Sequence, residues 1–542
     1  MNYQELFKFC KNNRQSEILK AIIDCGGKIQ AARYLGVDIR TIQRTCKRIE
    51  SAAGLDNGKQ EDNKQKDEIE FNGTKQHPRH RRGKLNGKRF LFTSAQNNTL
   101  PNNEVLDTMI RFCELNNAQL VIGGFSYSKK GLQLTEKGGI ENYDPRLRKY
   151  IVNEQMKVCD GLIWCGELNV LPTATYPSGQ FKSYCGSDSL ILPHAKSQME
   201  PVETEPDMPA KQVFSTGAVT QLNYIQKSAG QKAEWDHIFG ALYVEIDKYG
   251  DWHARDLNFE SETGIVYDLG VLYDQKRAYI IDDAVDVISL PDVHIDKLDQ
   301  RQLKPYYRML KDLNPAIVTV NDVHDHGRRN HHNTKDIYGN FRLHVIGKEC
   351  VREEVGKTVS LLKSLRKLVR KEVLVVESNH DLALQKWLIE QDYKKDNVNA
   401  EFFLELQLAN YKFIRQNPDE SLQTFKKACE ICNGGREIKG IKFLKSEEVY
   451  RINGVVHSRH MHDGPGGARG NIRNYSKLGE KYTCGHNHKG GRIGGVYVNG
   501  VIMTPSQSGY AKGQSAWSEA FTIQYKNGKR QQCFMKNGKY HA

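Results

Sequence analysis

Five short stretches in the second half of the chain put side chains that can bind metal where a strand gives way to a loop. They are Pro291-Asp292-Val293-His294, Asn321-Asp322-Val323-His324-Asp325, Ser378-Asn379-His380-Asp381, His460-Met461-His462 and Gly485-His486-Asn487-His488. Apolar, β-branched runs at 285–290, 316–320 and 373–376 precede the first three. Open α/β sheets place ligand chemistry at the carboxyl ends of their strands. Together the stretches offer carboxylate, imidazole and amide ligands for two metal ions, and that mix points to hydrolysis of a phosphate ester. Two cations roughly 3.5–4 Å apart can clamp the attacking and leaving oxygens of an in-line displacement. Hard oxygen and imidazole ligands without thiolate suit Mn²⁺, Fe²⁺, Zn²⁺ or Mg²⁺.

The order and types of these residues resemble the calcineurin-like metallophosphoesterase superfamily, whose pattern reads D-x-H, G-D-x-x-D, G-N-H-[DE], a further His, then G-H-x-H. The resemblance implies that Asp292, His294, Asp322 and His488 hold one metal. Asp322, Asn379, His460 and His486 would hold the other, with Asp322 as the bridge. It further implies a water activated by both ions as nucleophile, His380 as the general acid, Asp381 orienting it, and Mn²⁺ as the expected ion. Two positions depart from the pattern: Asn321 and Ser378 stand where the family has Gly. Asn tolerates a left-handed turn, while Ser378 leaves the path of its loop open.

The fourth motif offers His457, His460 and His462. The Gly-rich run 463–470 that follows is in the family style and favours His460 as ligand, with His462 near substrate and His457 structural. The segment 326–333 follows the bridging Asp322 directly, so it should overhang the metals. Arg grips phosphate bidentately, which makes Arg328, Arg329 and His331 candidates for substrate contact.

At the other end of the chain, Ile18, Leu19, Ile22 and Ile23 form the apolar face of a helix over 16–24, closed by Gly26-Gly27. The run 28–49 resembles a helix-turn-helix: small alanines, a Gly at the turn, and a second helix from about Asp38 with Ile42, Cys46 and Ile49 on one stripe. Arg40, Thr41, Gln43, Arg44 and Lys47 are left for a DNA groove. Residues 51–88 are nearly devoid of apolar side chains and read as a flexible linker ending in a basic run. The first 88 residues carry 19 Lys and Arg against 11 Asp and Glu, a large part of the overall charge of +14, and this suits a grip on nucleic-acid backbone.

At 542 residues the chain exceeds a single core. Mean hydropathy of −0.64 and the lack of long apolar runs speak against a membrane protein. No signal segment opens the chain. Twelve scattered cysteines make no disulfide framework, and Cys429-x-x-Cys432 has no second pair at zinc spacing, so a cytoplasmic setting is expected. Four regions result: a helix-turn-helix DNA-binding domain at 1–52, a basic linker at 53–88, an α/β accessory domain at 89–283 and a metallophosphoesterase catalytic domain at 284–542. The fold class is α/β: a layered α/β sandwich of metallophosphoesterase type behind an all-α N-terminus. In the accessory region His194, His237 and His253 read as structural.

In this order the regions resemble the pre-early deoxyribonucleases of large tailed phages, which implies destruction of host DNA. The expected protein is thus a two-metal DNA nuclease whose partner is DNA, with self-association left open. Two alternatives stand beside it: a DNA-binding regulator with a relic phosphoesterase domain, and a phosphodiesterase or phosphatase of small molecules. The first has every ligand position filled against it, and the second has little use for a charge of +14.

Overall fold

The computed structural model describes residues 3–53 apart from 26, 27 and 38, residues 83–330 apart from 129–141, 185 and 207, and residues 333 and 336–542 apart from 509–512. Most of the segment read as a linker, 54–82, lies outside the described residues. The chain is a mixed α/β protein whose described strands form four sheets. Among the described residues no helix is long and apolar enough to cross a membrane.

A 3-10 helix (Tyr3–Phe9) and then three α-helices open the described chain: α1 (Asn13–Cys25), α2 (Lys28–Leu35) and α3 (Ile39–Ala52). Ile18, Leu19 and Ile22 pack on Ala31, Ala32, Ile42, Cys46 and Ile49, all buried. The i, i+4, i+7 spacing on α3 places its three apolar residues on one face. A four-stranded sheet follows. Its parallel pair, β1 (Arg89–Gln96) and β2 (Gln119–Phe125), is linked by α4 (Asn103–Asn116), and β3 (Gly240–Ile246) and β4 (Trp252–Asn258) extend it as an antiparallel hairpin on the β1 side.

The strands that carry the first three motifs, β5 (Val285–Ser289), β6 (Ile317–Val320) and β7 (Glu372–Val376), lie side by side and parallel, and β8 (Ile441–Leu444) continues the parallel set beside β7. Parallel neighbours need crossover connections. Here these contain α5 (Lys304–Leu313), then α6 (Val351–Arg366), then α7 (Asn379–Glu390), α8 (Ala400–Gln416) and α9 (Thr424–Cys432). Two antiparallel strands, β9 (Ala520–Tyr525) and β10 (Arg530–Phe534), complete the sheet beside β5. Side chains alternate across a strand. Val318, Val320, Val373 and Val375 meet Leu310, Val355, Leu362, Trp387 and Phe403 from the helices. Ile317, Leu374, Val376 and Leu444 face the other way, towards Tyr450 and Ile452.

Ile452 belongs to the edge of the largest sheet, which has eleven strands. Its first six come from residues 83–215 and its last five from 451–498, and the two groups join where Met199 pairs with Arg492. The boundary read at 283/284 is therefore not a division in the fold. A sheet takes strands from distant sequence wherever their edges match, and local composition carries no trace of that pairing. The sheet also begins at Gly83–Lys84, paired with Met156 and Lys157, within the segment read as linker.

Candidate metal centre

The loops leaving β5, β6 and β7, and those leaving the strands Val455–Val456 and Lys481–Cys484, deliver the five motifs to one place. Asp292 Oδ2 accepts the His486 backbone N–H at 2.7 Å and lies 3.6 Å from His488 Nε2. His294 Nε2 is 3.1 Å from His488 Nε2 and 3.7 Å from Asp322 Oδ2. His460 Nε2 is 3.0 Å from Asp322 Oδ2. Two groups of ligand atoms emerge, each mutually within 4.8 Å: His294, Asp322 and His488, and Asp322, His460 and His486. Asp322 belongs to both.

The tautomers follow from the outer partners. His294 Nδ1 donates to Asp325 Oδ1 at 2.8 Å, which leaves the Nε2 lone pair facing Asp322 and His488. His460 Nδ1 lies 3.4 Å from Asn321 Oδ1, so its Nε2 is likewise turned to Asp322. Lys297 closes on the other oxygen of Asp325 at 2.9 Å. These outer groups orient the two rings in the way that partners of metal-bound histidines do.

Several backbone positions are held against ordinary preference. His294, Asp322, Met461, His486 and His488 all have positive φ, between 41° and 76°, a conformation that side-chain-bearing residues keep only where surroundings enforce it. The left-handed position in the second motif is Asp322, not Asn321. Gly485 is required for space: a Cβ there would stand 2.1 Å from Asp292 Oδ1.

Burial and the Asp322 charge push the Asp292 carboxyl well above the usual carboxylate range. Burial acts the same way on Asp322, but the His460, His380 and His294 rings outweigh it and hold that carboxyl low. Burial, then His460, lowers His486 to about 3, and burial, then His294, lowers His488, so both rings stay neutral as ligands must. Asp292 Oδ1, Asp322 Oδ1 and Asn379 Oδ1 are buried oxygens without a hydrogen bond. Hard oxygens, neutral imidazoles and a shared carboxylate fit two divalent cations.

Protein A1 of Escherichia phage T5 is 34% identical over 468 residues, which cover 84% of this chain and 83% of that protein. The chain belongs to the Protein A1 family. No family model matches it, and no solved structure matches it. A match of this length spans the body of the chain, so the A1 relationship extends beyond any one of its modules.

In this A1-family chain the remaining expected site residues are placed as follows. His380 is the second residue of α7, and its Nδ1 donates to the Asp325 carbonyl at 2.7 Å. Burial lowers its pKa, but the Asp322 and Asp325 carboxylates more than offset this and raise it. Asp381 does not orient His380. It is buried as the reciprocal partner of Ser378 in a capping box at the start of α7, which also accounts for Ser in place of Gly. His462 is half-buried beside His460 and His486, with Nε2 3.2 Å from Asp463. His457 turns away and bonds Gln524 at 2.8 Å.

Arg328 and Arg329 are not available to grip phosphate. The Arg328 side chain is 1% exposed and bonds Asp296, Glu353 and the Cys350 carbonyl. Arg329 is forked onto Asp396 at 2.6 and 2.9 Å. Acidic partners on α6 and in the loop at 396, remote in sequence, decide this. His331 lies outside the described residues. On α3, Thr41 and Arg44 face the body of the protein: Thr41 bonds Asp251, and Arg44 bonds Asp251, the Gly250 carbonyl and the Asp160 carbonyl. Gln43 is half-buried and Lys47 exposed, and the side chain of Arg40 lies outside the described residues. Sequence reasoning gave no role to Asp325, Asn321 or Lys297. Asp325 had a signal, since it is the second Asp of G-D-x-x-D.

Proposed function

We propose that this chain is a two-metal phosphodiesterase of metallophosphoesterase type that acts as a deoxyribonuclease, degrading host DNA early in a phage infection. The observation that supports it is the pair of ligand groups sharing the buried carboxylate of Asp322. Asp292, His294, Asp322 and His488 would hold one cation, and Asp322, Asn379, His460 and His486 the other. When bound, two divalent ions, Mn²⁺ first among them, supply activation of a water and neutralisation of charge on the phosphate.

The chain's own residues do the rest. Asp325 and Asn321 keep the ring nitrogens of His294 and His460 turned inward. His380, anchored through Nδ1, would present Nε2 to the leaving oxygen and hand it a proton. A charge of +14 favours a polyanionic substrate over a small one. The phage T5 relative supports a phage setting, and with it the host cytoplasm.

The test is incubation of the purified protein with Mn²⁺ and plasmid, linear or single-stranded DNA, before and after chelation. Cleavage that EDTA abolishes is expected. Full activity after thorough chelation would remove the two-metal reading. Turnover of bis-p-nitrophenyl phosphate with intact DNA would favour a small-molecule enzyme.

A further inference from the structure

A third group of ligand-type side chains converges outside the centre. His324 and His326 flank Asp325 in the loop after β6, and Glu354 reaches them from the first turn of α6. All three are buried, and one ligand atom from each lies within 4.8 Å of the others. Both ring nitrogens of His324 are buried without a hydrogen bond, as is Glu354 Oε2. The second Glu354 oxygen accepts the Gly327 N–H at 2.8 Å. Arg328 stands 4.0 Å from Oε2, and its hydrogen bonds go elsewhere.

Buried polar atoms are normally paired, and a carboxylate is taken out of water only with a partner. Burial, then the Asp296 and Asp325 carboxylates, push Glu354 up to about 8; without a cation it holds a proton. Ring packing fixes the directions of both imidazoles, with His324 stacked on Phe425 at 5.1 Å and His326 tilted against Trp387 at 5.8 Å. Metal bonds of about 2.0–2.2 Å allow two ligand atoms to stand at most about 4.4 Å apart, so the trio needs little movement to close on an ion.

We propose that His324, His326 and Glu354 bind a third divalent cation, of the zinc class, which ties the loop after β6 to α6. Two imidazoles and one carboxylate form a set that zinc takes readily. The role is positional. The loop carries Asp322 at one end, and Asp325 lies between the two histidines, where it holds both His294 and His380. An ion fixed at 324 and 326 therefore sets Asp325 in place.

The test counts metal rather than turnover. Full-length protein, E354Q and H326Q are loaded with Zn²⁺, freed of loose metal by gel filtration, checked for fold by circular dichroism and assayed by elemental mass spectrometry. Each comparison is repeated in a D322N background, which disables the shared carboxylate of the two-metal centre. One zinc per chain fewer is expected in E354Q and in H326Q, on both backgrounds. Equal zinc in D322N and D322N/E354Q would overturn the proposal and leave the trio as a proton-sharing or water-bridged cluster. If a variant fails to fold, D322N protein loaded with Co²⁺ decides: the strong visible absorption of low-coordinate cobalt, displaced by one equivalent of Zn²⁺, supports the site, and its absence overturns it. The inference does not depend on the two-metal reading. Loss of one zinc in E354Q with none lost in D322N would sustain it while refuting that reading.

Discussion

Asp325→Asn isolates what an outer carboxylate does for a metal-binding ring. In the native protein Asp325 accepts from His294 Nδ1 at 2.8 Å and pairs with Lys297 at 2.9 Å. Burial opposes its ionisation, but His294, Lys297 and His380 hold it well below the usual carboxylate range, so it is charged at any working pH. Asparagine keeps the size and one accepting oxygen, but removes the charge and turns an NH₂ towards an ammonium. Loss of such a partner costs about 10–100-fold in metal affinity, or about 1.4–2.7 kcal/mol. The higher end is expected here, because the charge lies at hydrogen-bond distance in a buried site. The loss should fall on one ion only. His294 belongs to the group with Asp322 and His488, whereas His460 takes its orientation from Asn321. Titration of Mn²⁺ against a competing chelator should show one affinity weakened and the other nearly unchanged. Unchanged affinities, or equal losses at both, would refute the assignment of Asp325 to His294.

His380→Ala should lower the rate on DNA by about 10²–10⁴-fold with metal content unchanged, and should cost less on p-nitrophenyl esters, whose leaving group needs little protonation; equal losses on both would remove the proton-donor role. Gly485→Ala should abolish metal binding, because its Cβ would meet Asp292 Oδ1 at 2.1 Å; elemental analysis of the folded variant checks this. Glu354 gives a pH signature: its carboxyl moves from 4.5 to about 8 on folding. The folded state then holds the proton more tightly than the unfolded one, so metal-free protein should lose stability as pH rises from about 4.5 to about 8, at up to about 1.4 kcal/mol per pH unit. Thermal melts of chelated protein should show that slope, and E354Q should lack it.

The centre was legible in sequence because its chemistry sits at fixed offsets from β-branched runs that became β5, β6 and β7. Each run ends where a parallel strand must turn, so identity and position agree. Functional partners from elsewhere were not legible. Arg328 and Arg329 looked like phosphate ligands until Asp296, Glu353 and Asp396 arrived from other elements. Thr41 and Arg44 looked like a DNA-reading face until the β3–β4 turn supplied Asp251. Asp381 looked like a catalytic helper, though Ser378 three residues earlier makes the pair an ordinary helix start. Asn321 was read as a turn residue, while its amide serves His460. Except for Asp381, whose partner is local, each local pattern was overridden by a side chain far away in sequence.

The union of residues 83–215 with 451–498 in one sheet has a consequence for synthesis. The edge of Met199–Val202 leaves the ribosome long before Gly491–Ile493 exists to cover it. At about 5–20 residues per second the interval is roughly 15–60 s, during which the strand, paired on its other side with Lys211–Ser215, leaves an open edge to chaperones or a neighbouring nascent chain. The same late strands bring His486 and His488. A partly made chain therefore lacks the rings that stand on both sides of Asp322, so the cluster is assembled only when translation is nearly over.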